Sequence, residues 1–568
     1  MKKIFTILAA ASLSLAAFAE TISSDEALNT ARRFFGDVPA SNLTLVWTGG
    51  TSQPTLYAYN NIDGGFVIIS SETAVEPIIG YSYSGSFRVD NMPSNLKNWM
   101  SLVSDCIRNV RVRNISQTDR IRQKWQDVGM KTKAGSETLL STALWDQGSP
   151  YCLKCPVVDG YYSLTGCVAT AMAIILRYNK FPAHGVGTVG GYRTSLVQVP
   201  SVRIDGFTFD WNDMPTSGPS KSSDWTAHQK EQVSTLMFYC GASVQMDYTP
   251  NGSGTQSVLV APALIEHFGA NASLVMEMGS WYKPVEWKKK ISSSIANNHP
   301  IYYSAQDARG QGGHAFVLDG YNSETDKVHV NWGWSGSDNG WYAIDLAPVG
   351  YTFSAYHQAC FDIRPEDGTG KDPKDGLYVY EMTLEGDIEA GKESSCNITL
   401  CNTKMKEAKG SVSVALLKKD GSFSPVGTPA DFTVRAMGRD GSQYITTQSV
   451  KFRLNQFSFS DRLIPIYKME GESDWRAAMV DAENVGFSSI PVTDCNFIKV
   501  EPVYHPGDEF VFELISGQMP IVGVEWYFDN KSTLASKVLL TSGKHTVRAV
   551  VTDASKKVET LVQVIEVK

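Results

Sequence analysis

Cys167, His314 and Asn331 stand, in this order along a chain of 568 residues, in local settings that suit nucleophilic acyl chemistry. Cys167 follows Gly166 at the start of segment 165–178, where Val168, Ala169, Ala171, Met172, Ala173, Ile174, Ile175 and Leu176 leave almost no polar side. That pattern predicts a buried helix with the cysteine in its first turn. A helix N-terminus carries partial positive charge and unpaired N–H groups, which favour thiolate over thiol and can donate to an oxyanion. A thiolate nucleophile also needs a base. His314 follows Gly312 and Gly313 and heads the apolar run Ala315-Phe316-Val317-Leu318, which reads as a strand with room for close backbone approach. After a turn over 322–326 comes Val328-His329-Val330-Asn331-Trp332-Gly333-Trp334. A hairpin would set Asn331 beside His314, where its side-chain oxygen could accept from the ring N–H while an indole shields the bond. Each residue alone is commonly structural, since free cysteine is among the most buried residue types. Their conjunction in this order carries the reading.

The elements that must hold such a site need more than one core. With 42% hydrophobic and 19% charged residues over its length, the chain has the composition of several globular domains rather than of a disordered or collagen-like protein. A net charge of −8 without a block of Lys and Arg speaks against a nucleic-acid partner. Lys2 and Lys3 before the apolar run 4–17, followed by Ala17-Phe18-Ala19, read as a secretory signal peptide over 1–19. No later stretch reaches the roughly 18 apolar residues of a spanning helix. Nine cysteines leave at least one thiol outside any disulfide, to be explained as buried, intermolecular or reactive.

Ser24 and Glu26 open a short amphipathic helix that reaches Phe34-Phe35. Leu56-Tyr57-Ala58-Tyr59 and Phe66-Val67-Ile68-Ile69-Ser70 flank the turn Asp63-Gly64-Gly65 as a hairpin. Pro93 opens a second helix, with Leu96, Trp99, Met100, Val103, Ile107 and Val110 on one face. Residues 20 to about 113 are thus a small α+β unit. The basic, weakly periodic stretch 111–133 reads as an exposed tether, so that the whole leading block runs over 20–136. An aromatic-rich block with Gly-rich loops follows over 137–364, closed by a linker over 365–373. Beyond it, alternating segments such as 411–417 and 544–551 predict two β-sandwich modules, 377–495 and 497–568.

The segments Thr165-Gly-Cys-Val-Ala-Thr-Ala-Met-Ala173, Gly313-His-Ala-Phe-Val317 and His329-Val-Asn-Trp-Gly-Trp334 resemble the streptopain family of secreted bacterial cysteine peptidases, which have a papain-like fold. His314 lies 147 positions after Cys167, within the roughly 130–150 residues that separate such a cysteine from its downstream partners. The resemblance implies Cys167 as nucleophile and His314 as general base, Trp334 as a tryptophan supporting the histidine, and residues 20 to about 113 as an inhibitory propeptide. Either Asn331 or Trp334 would orient His314. Trp145-Asp146-Gln147-Gly148-Ser149-Pro150-Tyr151 is similar to a family segment in which Gln147 would donate to the oxyanion. Segments 210–215 and 246–254 look family-like too and read as loops walling the cleft. The architecture implied is multidomain: a small α+β prodomain, an α+β papain-like catalytic domain and two all-β modules. Its partners would be protein or peptide substrates and its own propeptide, and its location extracellular, at the cell surface or in the periplasm of a bacterium.

Cys152-x-x-Cys155 has no second C-x-x-C and no H-x3-H to complete a zinc site, so it reads as a local disulfide or two buried thiols, as do Cys396 and Cys401. No metal or cofactor is called for. Val524-Glu525-Trp526-Tyr527-Phe528-Asp529 with 543–549 resembles a polycystic-kidney-disease-type immunoglobulin-like repeat, which suggests adhesion, spacing or contact with a surface or matrix. Three functions share these features: a secreted endopeptidase made as a zymogen, an amidase acting on peptidoglycan stem peptides, and a non-enzymatic surface-binding protein. The propeptide-like block and the paired Cys167 and His314 favour the first.

Overall fold

The computed structural model describes residues 20–50, 53–90, 92–112, 115–130, 137–219, 224–282, 284–306, 313–343 and 355–368, and then 377–386, 388–404, 406–418, 421–436, 444–457, 461–480, 490–492, 496–500, 503–515, 521–533, 535, 537–553 and 558–568. The signal-peptide reading over 1–19 and most of the linker over 365–373 lie outside these residues. The chain forms two compact units that part at residue 375, apart from a short piece at 439–442.

The first unit begins with helix α1 (Ser24–Phe34). Its cap is Ser23 rather than Ser24: the Ser23 hydroxyl accepts from the Glu26 amide while the Glu26 carboxylate accepts from the Ser23 amide at 2.7 Å, a reciprocal box that only a Glu three residues after the cap can close. Strands β1 (Leu43–Thr48), β2 (Leu56–Asn61), β3 (Phe66–Ser70) and β4 (Ile78–Ser82) form an antiparallel meander, with the expected hairpin between β2 and β3. Helix α2 (Ser94–Val112) lays Leu96, Trp99, Met100, Val103, Ile107 and Val110 into the core as its periodicity requires.

The expected tether is largely structured. Thr118 caps helix α3 (Asp119–Gln126), whose Ile121 is buried and whose Trp125 indole N–H donates to the Val75 carbonyl at 2.8 Å. Lys124 pairs with Glu76 at 2.7 Å, and Arg33 donates to the Val128 carbonyl at 3.0 Å. The stretch is polar overall, yet Ile121 and Trp125 lie four residues apart on one helix face, enough to dock it back on the leading block. Residues 131–136 lie outside the described residues.

The leading block shares a sheet with the block that follows. Strands β5 (Glu137–Leu139), β6 (Glu277–Met278), β7 (Ile301–Gln306), β8 (Gly313–Asn322), β9 (Lys327–Asn331), β10 (Gly340–Ala343) and β11 (Ala355–Cys360) complete eleven strands in the order β1-β2-β3-β4-β10-β9-β8-β7-β11-β6, with β5 paired to β8. The junction is β4 with β10, where Tyr81 faces Trp341 and Gly80 faces Tyr342. A side chain at Gly80 would strike the Tyr342 ring at 2.8 Å, which keeps that position small. One hydrophobic core runs under both blocks, joining Phe66, Trp99 and Val103 to Phe316, Trp332 and Tyr342. Helix α4 (Cys167–Asn179) packs against β7 and β8, and α5 (Ala227–Ser243) packs on α4. The start of the expected linker is pinned: Asn271 donates to the Arg364 carbonyl at 2.9 Å, and the Glu366 carboxylate accepts from the Ala272 amide at 2.6 Å.

In the second unit every described element is a strand. A four-stranded and a six-stranded sheet enclose one core that includes Val379, Ile398, Val412, Val414, Val450 and Leu463. A separate core of Phe510, Val547, Ala549, Val551 and Ile565 lies further along the chain. The alternating segments read at 411–417 and 544–551 are found within the strands Ala408–Leu417 and Gly543–Asp553.

Candidate active site

Helix α4 can begin at Cys167 because Gly166 precedes it with φ of 83°, a conformation that strains any L side chain. A Cβ there would also lie 2.7 Å from the Met246 sulfur and 2.9 Å from the Ser253 carbonyl. Thr170 locks the turn, its hydroxyl donating to the Gly166 carbonyl at 3.0 Å and meeting the Thr165 hydroxyl at 2.8 Å. Val168 to Leu176 are buried throughout, as the sequence predicts. Gly166→Ala is therefore expected to destabilise the fold by about 2 kcal/mol or more, read as a lower urea midpoint of the Cys167→Ala form; an unchanged midpoint would contradict the account of this turn.

Cys167 is half-buried, and its sulfur accepts from the backbone N–H of Ala315 at 3.5 Å. That contact brings the residue after His314 onto the nucleophile candidate. His314 itself is the second residue of β8 and lies across from Ala305 on β7. Cys167, His314, Gln147 and Trp334 all line one cleft of about 470 Å³, with Leu164, Val168, Ser304, Gln358 and loop 251–257 as further walls. None of the described lining residues is Asp, Glu, Lys or Arg. The sequence expects a thiol held below its ordinary value by the helix terminus. Although part of Cys167 faces the cleft, burial pushes its thiol up, and the N–H groups of Ala315, Val168 and Cys167 only partly offset this.

Gln147 is buried, and its carbonyl accepts from the Thr165 amide at 3.1 Å, tying its loop to the start of α4. Trp334 reaches the cleft after Gly333, which has φ of 74°. Its buried indole nitrogen has no hydrogen-bond partner among the described residues, a state that costs about 1–3 kcal/mol until a partner arrives.

The hydrogen bonds of Asn331 run to residues other than His314. Asn331 lies opposite Val317, three residues further along β8. Its amide donates to the Thr142 hydroxyl at 3.0 Å and the Ala143 carbonyl at 2.9 Å, while its oxygen accepts from the Gly333 amide at 3.1 Å. Thr142 continues to Asp319, whose carboxylate meets the His329 ring at 2.6 Å. Fully buried, Asn331 satisfies backbone and hydroxyl groups that fix the two strands and the turn leading to Trp334.

Of the two loops read as cleft walls, 246–254 contributes Asn251, Gly252, Ser253 and Gly254, but 210–215 packs elsewhere. The Met214 carbonyl accepts from Arg177 at 2.7 Å and the Pro215 carbonyl from the Trp145 indole at 2.8 Å. Cys152 and Cys155 are free thiols, and all the described cysteines but Cys167 are buried. Among the described residues no group of His, Cys, Asp and Glu could hold a metal, and no helix is long and apolar enough to cross a membrane. Sequence reasoning missed Asp146, Ser257, Ser304 and Gln358, which carry no pattern that marks them.

A sequence model of the peptidase C10 family matches residues 145–342, and one of the Spi protease inhibitor matches residues 19–107. Streptopain of Streptococcus pyogenes is 30% identical over 375 residues, spanning 61% of this chain and 89% of the relative. The chain belongs to the peptidase C10 family. It is a secreted cysteine peptidase made as a zymogen. The thiol protease/hemagglutinin PrtT of Porphyromonas gingivalis is 26% identical over 507 residues, 84% of this peptidase and 57% of the relative. The solved prointerpain A fragment of Prevotella intermedia shares 29% identity over 57% of this peptidase and 99% of that chain, with a TM-score of 0.48.

Proposed function

We propose that the peptidase cuts internal peptide bonds with Cys167 as nucleophile and His314 as the group that takes and returns its proton. The observation that carries this reading is the shared cleft, in which the Ala315 amide next to His314 lies 3.5 Å from the Cys167 sulfur. His314 accepts the thiol proton, and the thiolate attacks the substrate carbonyl. The tetrahedral oxyanion is held by the Gln147 side-chain amide and the N–H groups at the start of α4. His314 then protonates the leaving amine, and water repeats the sequence on the thioester. Trp334 is the residue that orients and covers His314. The test is casein and short-peptide hydrolysis by wild type, His314→Ala and Gln147→Ala, with His314→Ala expected to be inactive; full activity without His314 would overturn the reading.

The domain reading follows: prodomain and tether over 20–136, catalytic domain over 137–364, and all-β modules over 377–495 and 497–568, behind a signal peptide over 1–19 that directs export to the extracellular space, cell surface or periplasm. The prodomain inhibits in cis. No described residue of 20–130 is among those lining the cleft. Instead it adds β1–β4 to the sheet edge and grips the turn beyond Trp334, where the Arg88 amide donates to Asp338 at 2.7 Å.

Asp338 makes this contact pH-dependent. Its carboxyl is buried, one oxygen has no partner among the described residues, and burial raises its pKa to about 6 against the pull of Arg88. An acid whose pKa is raised on folding favours the protonated form, so its stabilising share is complete below about pH 4, the unfolded value, and is lost as pH rises to about 6. The Cys167→Ala zymogen should lose up to about 3 kcal/mol from this group across that window. Asp338→Asn tolerates the same positive φ of 59° and should remove that loss, seen as a Tm gap between the two forms that widens from pH 4 to 7. A gap independent of pH would contradict it.

The all-β modules serve spacing or contact with a surface or matrix. Truncation after Gly368, beyond the pinned residues Arg364 and Glu366, should leave kcat/KM for a short peptide within about twofold, because small-substrate turnover needs only the cleft residues. A tenfold fall in a folded truncate would show that the modules complete the site.

A further inference from the structure

The loop carrying Gln147 and the loop carrying Trp334 are joined by one carboxylate. One oxygen of Asp146 accepts from the Gln147 amide at 2.6 Å and the Gly148 amide at 3.2 Å. Its other oxygen accepts from the Ser335 hydroxyl at 2.7 Å. Alongside, the Ser335 amide donates to the Trp145 carbonyl at 2.9 Å, with Ser335 held at φ of 54°, a left-handed conformation rare for serine. These bonds link two stretches nearly 190 residues apart in sequence, and each stretch delivers one wall residue next to Cys167 and His314.

We infer that Asp146 is a positioning residue for peptide hydrolysis: through its paired bonds to the Gln147 and Gly148 amides and to Ser335, it fixes the Gln147 side chain where the oxyanion forms. This rests on the oxyanion role given to Gln147 above. A donor is effective only if it is already aimed at the charge that develops, and removing one such donor costs about 100- to 1000-fold in kcat. Loosening the backbone that bears it should cost a fraction of that and act on the transition state more than on substrate binding. Asp146 does not line the cleft, so it acts through Gln147 rather than on the substrate.

The test compares the full chain and its Asp146→Ala, Asp146→Asn, Ser335→Ala, Gln147→Ala and Asp146→Ala/Gln147→Ala variants, each processed by tagged wild-type enzyme that is then removed. Asp146→Ala should lower kcat about 10- to 100-fold with KM within about threefold, and lose little more when Gln147 is already alanine. Asp146→Asn keeps an acceptor for the two amides and should recover most of the loss, and Ser335→Ala should show a smaller fall of the same kind. The rate of Cys167 alkylation by iodoacetamide develops no oxyanion and should stay within twofold in every variant. A parallel fall in alkylation, additive losses in the double variant, or normal kcat in Asp146→Ala beside an impaired Gln147→Ala each overturn the positioning role alone. Normal kcat in Gln147→Ala overturns the oxyanion reading and the positioning role with it. Should Asp146→Ala fail to fold, Asp146→Asn and Ser335→Ala decide: full kcat in both overturns the proposal, and a graded fall with unchanged alkylation supports it.

Discussion

Replacing Cys167 with alanine is expected to reduce kcat for peptide hydrolysis by about 10⁵- to 10⁶-fold, the scale seen when a covalent nucleophile is removed from a site that acts as a unit. His314→Ala should fall nearly as far, and the double variant scarcely further, because a thiol without its base and a base without its thiol fail at the same step. No other described cysteine can substitute: Cys106, Cys152, Cys155, Cys240, Cys360, Cys396 and Cys401 are buried, and burial pushes Cys106 up to about 11 and Cys396 up to about 12. Residual turnover in Cys167→Ala should therefore be insensitive to thiol reagents. Hydrolysis that persists in Cys167→Ala and is stopped by iodoacetamide would contradict the assignment. Tm measured on each variant separates loss of chemistry from loss of fold.

The second large effect concerns processing. Wild type should convert itself to a form beginning between about residues 131 and 137, whereas Cys167→Ala should accumulate as the full-length exported chain. A prodomain held in cis faces its docking surface at high effective concentration, so it stays bound until the chain between α3 and β5 is cut. The fragment to add in trans is 20–130, not 20–113. Helix α3 returns to the prodomain through Ile121, through Trp125 to the Val75 carbonyl at 2.8 Å and through Lys124 to Glu76 at 2.7 Å. Glu76 also faces the buried Lys327 of β9 at 3.5 Å. Separation of the prodomain would strand that lysine, whose ammonium burial already pushes below its ordinary value. The longer fragment should inhibit reversibly and at least tenfold more tightly than the shorter. Equal potency of the two, or no inhibition at micromolar concentration, would show that α3 plays no part in docking. Full-length accumulation of wild type together with full activity would show that no zymogen control operates.

Much of this was legible without coordinates because the signals are local. The run from Val168 to Leu176 can only be a buried helix, and Gly166 before Cys167 marks a backbone position that other residues cannot take. The face of α2 and the β2–β3 hairpin are likewise set by short-range periodicity. What the sequence hid depends on registry across the sheet. Whether Asn331 meets His314 turns on the bulge that shifts the β8–β9 pairing between Leu318 and Gly320, and no residue type announces it. The helical character of 119–126 was masked by its charge, since only Ile121 and Trp125 mark the buried face. The prodomain's route of attachment was hidden too, because a strand joining a sheet edge looks in sequence like any other strand. Asp146 went unnoticed since its partner Ser335 lies far along the chain.

The most direct measurement is a titration of the processed enzyme with iodoacetamide, following activity and peptide masses together. Activity should fall in proportion to carboxamidomethylation of Cys167, reaching zero at one group on that residue while the other described cysteines remain unlabelled. His314→Ala should slow that labelling by removing the base that generates the thiolate. Complete labelling of Cys167 with activity retained, or complete loss of activity with the label on another residue, would contradict the account.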